Sequence, residues 1–220
     1  MCIRDRVTTG DANIAIGHDA LSANTTGSGN LAIGYGAYDN ADTEGNNMAI
    51  GRDALGGSIN GGETNIAIGN YSLDANTSGD LNIGLGYVSL TQNSTGSSNV
   101  GIGNSAMQLN QTGSSNTTLG NNSMKSSLSS SYNTAVGAEA LFDANRTADT
   151  DGYNTALGYN AGNTGTNDLT TGNKNTLLGA STAASAAAGT NQTVIGFGAS
   201  GVANNSCLLY TSPSPRDLVI

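Results

Sequence analysis

The sequence predicts an all-β repeat fold, a parallel β-roll or β-solenoid of about eleven coils. Three observations carry that expectation: a recurring five-residue motif, a fixed short period, and glycines at a density no helix tolerates. The motif first appears as Asn13-Ile14-Ala15-Ile16-Gly17 and returns as Asn30 to Gly34, Asn47 to Gly51 and Asn65 to Gly69. Its closing glycines stand at 17, 34, 51, 69, 86, 103, 120, 137, 158, 179 and 196, so the coils run from 17 to 21 residues. Self-similarity at so short a period marks a solenoid whose units stack on their neighbours.

Within a coil counted from its Asn, position four is always aliphatic. It is Ile16, Ile33, Ile50, Ile68, Leu85, Ile102, Leu119, Val136, Leu157, Leu178 and Ile195. Position three is mostly small through the first six coils. Position two is aliphatic in those six and becomes Thr at Thr117, Thr134, Thr155, Thr176 and Thr193. Such alternation reads as a short strand with positions two and four on one face and position three on the other. A small residue at position three implies close packing there. The Gly that follows, as Gly17 or Gly103, ends the strand at a turn that needs positive φ or a close neighbour.

A second apolar pair comes next, as Ala20-Leu21, Ala54-Leu55 or Ala106-Met107, and is expected to form a second, weaker strand. Turns such as Asn24-Thr25-Thr26-Gly27 close the coil with residues that satisfy turn backbones. Helix is the losing alternative, because each interior glycine costs it about 1 kcal/mol. The Asn at position one (Asn13, Asn30, Asn47, Asn65, Asn99) is expected to stack into an amide ladder that bonds turn backbones. Few aliphatic side chains per coil must offset backbone ordering of roughly 1–2 kcal/mol per residue, so self-association is expected to add burial.

The ends break the pattern. Residues 1–6 and 207–220 look like translated sequencing-adaptor sequence and are set aside. The repeat domain is then 7–206, read as an internal fragment because its first residues match the end of a coil. Both cysteines and both prolines of the chain lie in the excluded ends, which leaves the repeats no disulfide framework. The whole chain carries 16 acidic against 7 basic residues, a net charge of −9. Without a basic run, binding nucleic acid by neutralising phosphates is not expected.

The motif Asn13-Ile14-Ala15-Ile16-Gly17, with Ala20 three residues on, resembles the head repeats of trimeric autotransporter adhesins (YadA-like heads). Related repeats occur in phage tail fibres. The resemblance spans Asn13 to about Ser200. It implies a left-handed β-roll, a homotrimer, and adhesion at the bacterial cell surface, or a place in a virion tail. The receptor (host protein, matrix or glycan) is not implied, and membrane contact would come only through an anchor domain outside these residues. The coils here are longer than the family's usual repeat because of the Asn-x-Thr-Gly turn.

No catalytic or cofactor constellation recurs, so neither an enzyme nor a cofactor is expected. Gly196-Phe197-Gly198-Ala199-Ser200-Gly201 spells a dinucleotide pattern, but it sits on the repeat's own glycines with no helix after it. His18 lacks a second ligand or a nucleophile in sequence. Sequons such as Asn24-Thr25-Thr26 follow from turn chemistry, and no carboxylate pair recurs in a fixed column as glycan hydrolysis would need. The longer coils offer one candidate binding loop, with Arg146, Asp149, Asp151 and Tyr153, because insertions in solenoids map to loops. Asp168 in the next insertion is expected to be solvated. The functional expectation is therefore a structural and adhesive fibre segment, with a phage tail-fibre shaft as the alternative and an ice-binding solenoid third.

Overall fold

A computed structural model describes residues 9–58, 60–144 and 152–209. The described chain is all-β. Twelve three-residue strands stack in sequence order into one parallel sheet, β1 (Ile14–Ile16), β2 (Leu31–Ile33), β3 (Met48–Ile50), β4 (Ile66–Ile68), β5 (Ile83–Leu85) and β6 (Val100–Ile102), then β7 (Thr117–Leu119), β8 (Thr134–Val136), β9 (Thr155–Leu157), β10 (Thr176–Leu178), β11 (Thr193–Ile195) and β12 (Cys207–Leu209). Each coil adds one strand to this solenoid of about eleven turns. The pairing is in register throughout: Ile16 faces Ile33, Ile33 faces Ile50, and Leu157 faces Leu178. β12 falls in the stretch that the sequence sets apart, yet Cys207-Leu208-Leu209 carries the same alternation, with Leu208 packed against the core.

The strand's inner face belongs to position three. Ala32, Ala49, Ala67, Ala135 and Ala156 are fully buried. Across from them lies a column of large side chains from the following arm: Leu21, Tyr38, Leu55, Leu73, Leu90, Met107, Met124 and Leu141, all buried. The interior is therefore small-on-strand against large-on-arm, and the branched residues of positions two and four point outward.

The arm corrects one expectation. It is not a second strand but a chain of turns. In the first coil Asp19 has φ 57° and Leu21 φ 53°, and Asp53 with Leu55, Val88 with Leu90, and Ser105 with Met107 repeat the alternation. Left-handed residues at every second position curl the arm too tightly for a strand. Its N–H groups instead reach the next coil, as Leu21 N–H to the Ala37 carbonyl (3.1 Å) and Leu90 N–H to that of Ala106 (2.9 Å). A left-handed non-glycine residue costs roughly 1–2 kcal/mol, and here it delivers a leucine-sized side chain to the core.

The amide column is continuous. Asn30 N–H donates to Asn13 Oδ1 (2.9 Å), Asn47 N–H to Asn30 Oδ1 (2.9 Å), Asn65 N–H to Asn47 Oδ1 (2.8 Å), and Asn116 N–H to Asn99 Oδ1 (3.0 Å). Many of the Nδ2 groups also close their own coil: Asn65 donates to the Gly79 carbonyl (2.9 Å) and Asn99 to that of Gly113 (2.8 Å). A shorter ladder runs in the arm. Asn93 Nδ2 donates to Asn76 Oδ1 (2.9 Å) and Asn110 Nδ2 to Asn93 Oδ1 (2.6 Å). It stops where the next coil has Ser127, and Asn110 Oδ1 is left buried without a partner. Asn24 Oδ1 is left the same way, since residue 41 is Ala. In that coil Tyr38 fills the space, its hydroxyl accepting a hydrogen bond from Asn47 Nδ2 (2.5 Å). Burial pushes the Tyr38 phenol well above its ordinary range.

The glycine that ends each strand is dictated by stacking. Gly69 has φ 132°, and a Cβ there would fall far inside van der Waals contact with the Gly86 carbonyl of the next coil. Backbone lies against backbone in this column, so no side chain can retreat to make room.

Candidate interaction surface

The outer face of the sheet presents two parallel columns of side chains. In the first six coils both are aliphatic: Ile14, Leu31, Met48, Ile66, Ile83 and Val100 beside Ile16, Ile33, Ile50, Ile68, Leu85 and Ile102. These residues are half-exposed along the stack, and Ile16 at its end is 58% exposed. From β7 to β11 the position-two column is threonine while position four stays aliphatic, with Leu119, Leu157 and Leu178 still exposed. No charged side chain stands in either column through β11. With strands about 4.8 Å apart, the strip is roughly 55 Å long. Parallel sheets ordinarily have both faces covered, and contiguous exposed apolar surface of this kind marks an interaction site.

One edge of this strip carries a second feature. In the first three coils the residue after the closing glycine meets its equivalent in the next coil, and Tyr71, one position further along its own coil, continues the row. The His18 and Tyr35 rings lie parallel, 5.2 Å apart. The Arg52 guanidinium sits 5.5 Å from the Tyr35 ring centre and 6.0 Å from that of Tyr71, and Tyr71 meets Tyr87 edge to face at 6.2 Å. Both His18 and Arg52 also touch acids, His18 Nδ1 to Asp19 at 2.6 Å and Arg52 Nε to Asp53 at 3.3 Å. Asp39 and Asp74 nearby are pushed above the usual carboxylate range, first by burial and then by the other aspartates. This π-stacked edge was missed from sequence, although His18, Tyr35 and Arg52 repeat at the coil period and could have been read down the column.

The residues expected to bind fare differently. Arg146, Asp149 and Asp151 lie outside the described residues. Tyr153 is exposed, left-handed (φ 47°), and stacks parallel on Tyr132 at 5.0 Å. It sits immediately before the ladder residue Asn154, as Tyr132 sits before Asn133, so the two stack coil on coil in a separate column. Asp168 accepts the Gly165 N–H at 2.5 Å, which fixes its own turn. His18 has Asp19 and Tyr35 as neighbours, and among the described residues no group of three His, Cys, Asp or Glu side chains could hold a metal ion. No helix among them is long and apolar enough to cross a membrane.

Comparison with known proteins adds no relative: no family model, curated protein or solved structure matches the chain.

Proposed function

We propose that the chain is a non-catalytic structural and adhesive segment of an extracellular fibre, in which three copies pack through their sheet faces. The observation that carries this reading is the bare aliphatic strip along the outside of a parallel sheet. Burying such a strip yields about 25 cal/mol per Å², and a second copy offers the same flat, uncharged surface in the same register. The motif's resemblance to adhesin heads supports three copies and display outside a bacterium for attachment to a host cell or matrix. A shaft in a phage tail fibre would use the same packing.

Sedimentation of the full chain tests the assembly. A trimer is expected, and the double variant Ile50→Lys, Ile68→Lys is expected to sediment as a folded monomer with an unchanged β-type circular dichroism spectrum. A monodisperse wild-type monomer would sink the reading. Adsorption of the assembled protein to host cells and matrix proteins, set against adsorption to bacterial surfaces, separates the adhesin from the phage shaft.

The threonine column favours one further reading, ice binding through the Thr and aliphatic columns on β7 to β11. Thermal hysteresis that Thr155→Lys abolishes would establish it in place of the fibre.

A further inference from the structure

The third coil has one residue more than its neighbours, and its closing turn holds Asn60-Gly61, the one Asn-Gly pair in the chain. The ladder asparagines are chemically shielded. Both ends of their amides are bonded, and the N–H that follows each is held by the next coil, as Ile66 N–H by the Asn82 carbonyl at 2.8 Å. Asn60 is different. It is exposed, and among the described residues no hydrogen bond ties its side-chain amide. Gly61 has φ 104°, and beyond its chain neighbours nothing lies within 4 Å of where a Cβ would stand.

The nitrogen next to Asn60 is also engaged by a base. Gly61 N–H donates to Glu44 Oε1 at 3.0 Å. Glu44 is 5% exposed, and its other oxygen accepts the N–H groups of Asp42 and Thr43, each at 3.1 Å. The carboxylate is thus pinned by its own coil and aimed at the Gly61 amide of the next.

We propose that Asn60 is a self-modification site whose conversion to aspartate and isoaspartate is assisted by Glu44. The Gly61 nitrogen attacks the Asn60 side-chain carbonyl carbon while its proton passes to Glu44 Oε1. The bond to Nδ2 then breaks, and ammonia leaves with that proton, closing a succinimide. Water opens the ring at either carbonyl, giving an α- or β-linked aspartate with no change of oxidation state. Either product places a new negative charge beside Glu44. The β-linked one also lengthens the backbone between Gly61 and the Asn60 N–H, which anchors to the Thr77 carbonyl of the next coil at 2.7 Å.

The test is peptide mapping by mass spectrometry of the full chain aged at neutral pH and body temperature. The peptide containing Asn60 is expected to gain the amide-to-acid mass increment while the ladder peptides do not. Glu44→Gln keeps an acceptor for the Gly61 N–H but cannot take its proton, so it should slow conversion by about tenfold or more. Its circular dichroism should match wild type, which verifies that the turn still folds. No increment at Asn60 overturns the site. A Glu44→Gln rate equal to or above wild type overturns the base role, because the hydrogen bond would then be restraining the turn.

Discussion

The fourth to sixth coils and the last two fill the same interior by opposite means. In the former the strand supplies Ala67, Gly84 and Gly101, and the arm supplies Leu73, Leu90 and Met107. Where the strand shrinks to glycine, the arm answers with a hydroxyl: Ser72 Oγ bonds the Gly84 carbonyl (2.9 Å) and Ser89 Oγ that of Gly101 (2.7 Å). In the latter the strand carries the bulk, as Leu177 and Val194, and the arm retreats to Ala183 and Ser200, while the coil before them keeps Ala156 on its strand, has Gly162 in the arm and buries Leu169 further along. A Cβ on Gly162 would come within 2.8 Å of Leu141 Cδ2 and 3.2 Å of Leu177 Cδ1. What is held constant is the cross-section, not the residue at a column. The outer face changes at a different point, β7, where threonine replaces the aliphatic residue at position two. Interior and exterior thus vary independently along the rod.

The largest expected effect tests what the two regions share. Gly103→Ala, at φ 135° with a Cβ directed into the Gly120 backbone, should cost more than about 4 kcal/mol and leave no cooperative unfolding transition in a thermal melt. Gly162→Ala meets only side-chain ends and should cost about 1–3 kcal/mol by urea denaturation. Equal costs at the two sites would break the distinction between backbone and side-chain contact.

Next come the swapped leucines. Leu90→Ala on an arm and Leu177→Ala on a strand should each cost about 2–5 kcal/mol, since both leave a cavity in the same core. A negligible cost at Leu177 would mean that the last coils do not pack through their strands. The amide column should behave alike in both regions. Asn99→Ala leaves the Asn116 N–H without its partner, while the Gly113 carbonyl keeps the Asn110 Nδ2 donor, a cost of about 1–3 kcal/mol for the buried orphan. The smaller ladder can be lengthened: Ser127→Asn offers a donor to Asn110 Oδ1 and should stabilise by about 1 kcal/mol.

The smallest effect is a pH dependence confined to the first coils. Asp39 and Asp74 have folded-state pKa values above the ordinary carboxylate value. Between those two values the folded chain binds more protons than the unfolded one, so stability falls as pH rises through that window. Asp74→Asn should remove part of that slope and raise the midpoint slightly at neutral pH, while substitutions in the last three coils leave it unchanged.

The strand, the period and the glycine column were legible because each is a local demand repeated many times. Asn13 and its equivalents could be read as a ladder because a side chain at a fixed phase must meet its own copy above and below. The arm misled the reading: Ala20-Leu21 is apolar and short, and nothing in two residues announces that Asp19 and Leu21 are left-handed. Tyr153 was singled out for lying in a long coil, whereas it is the stack on Tyr132 that gives it a structural place.

The amino-acid order alone determined that this polymer stacks, at what interval, and which residues ascend in columns, since periodicity is a property of the order itself. Only the tertiary structure decided which side of each strand is inside. Alternation defines two faces without naming either, and the choice fell to volume: the narrow coil accepts Ala32 or Gly84 opposite a leucine-sized side chain, and Ile33 and Leu85 are left to the outer surface.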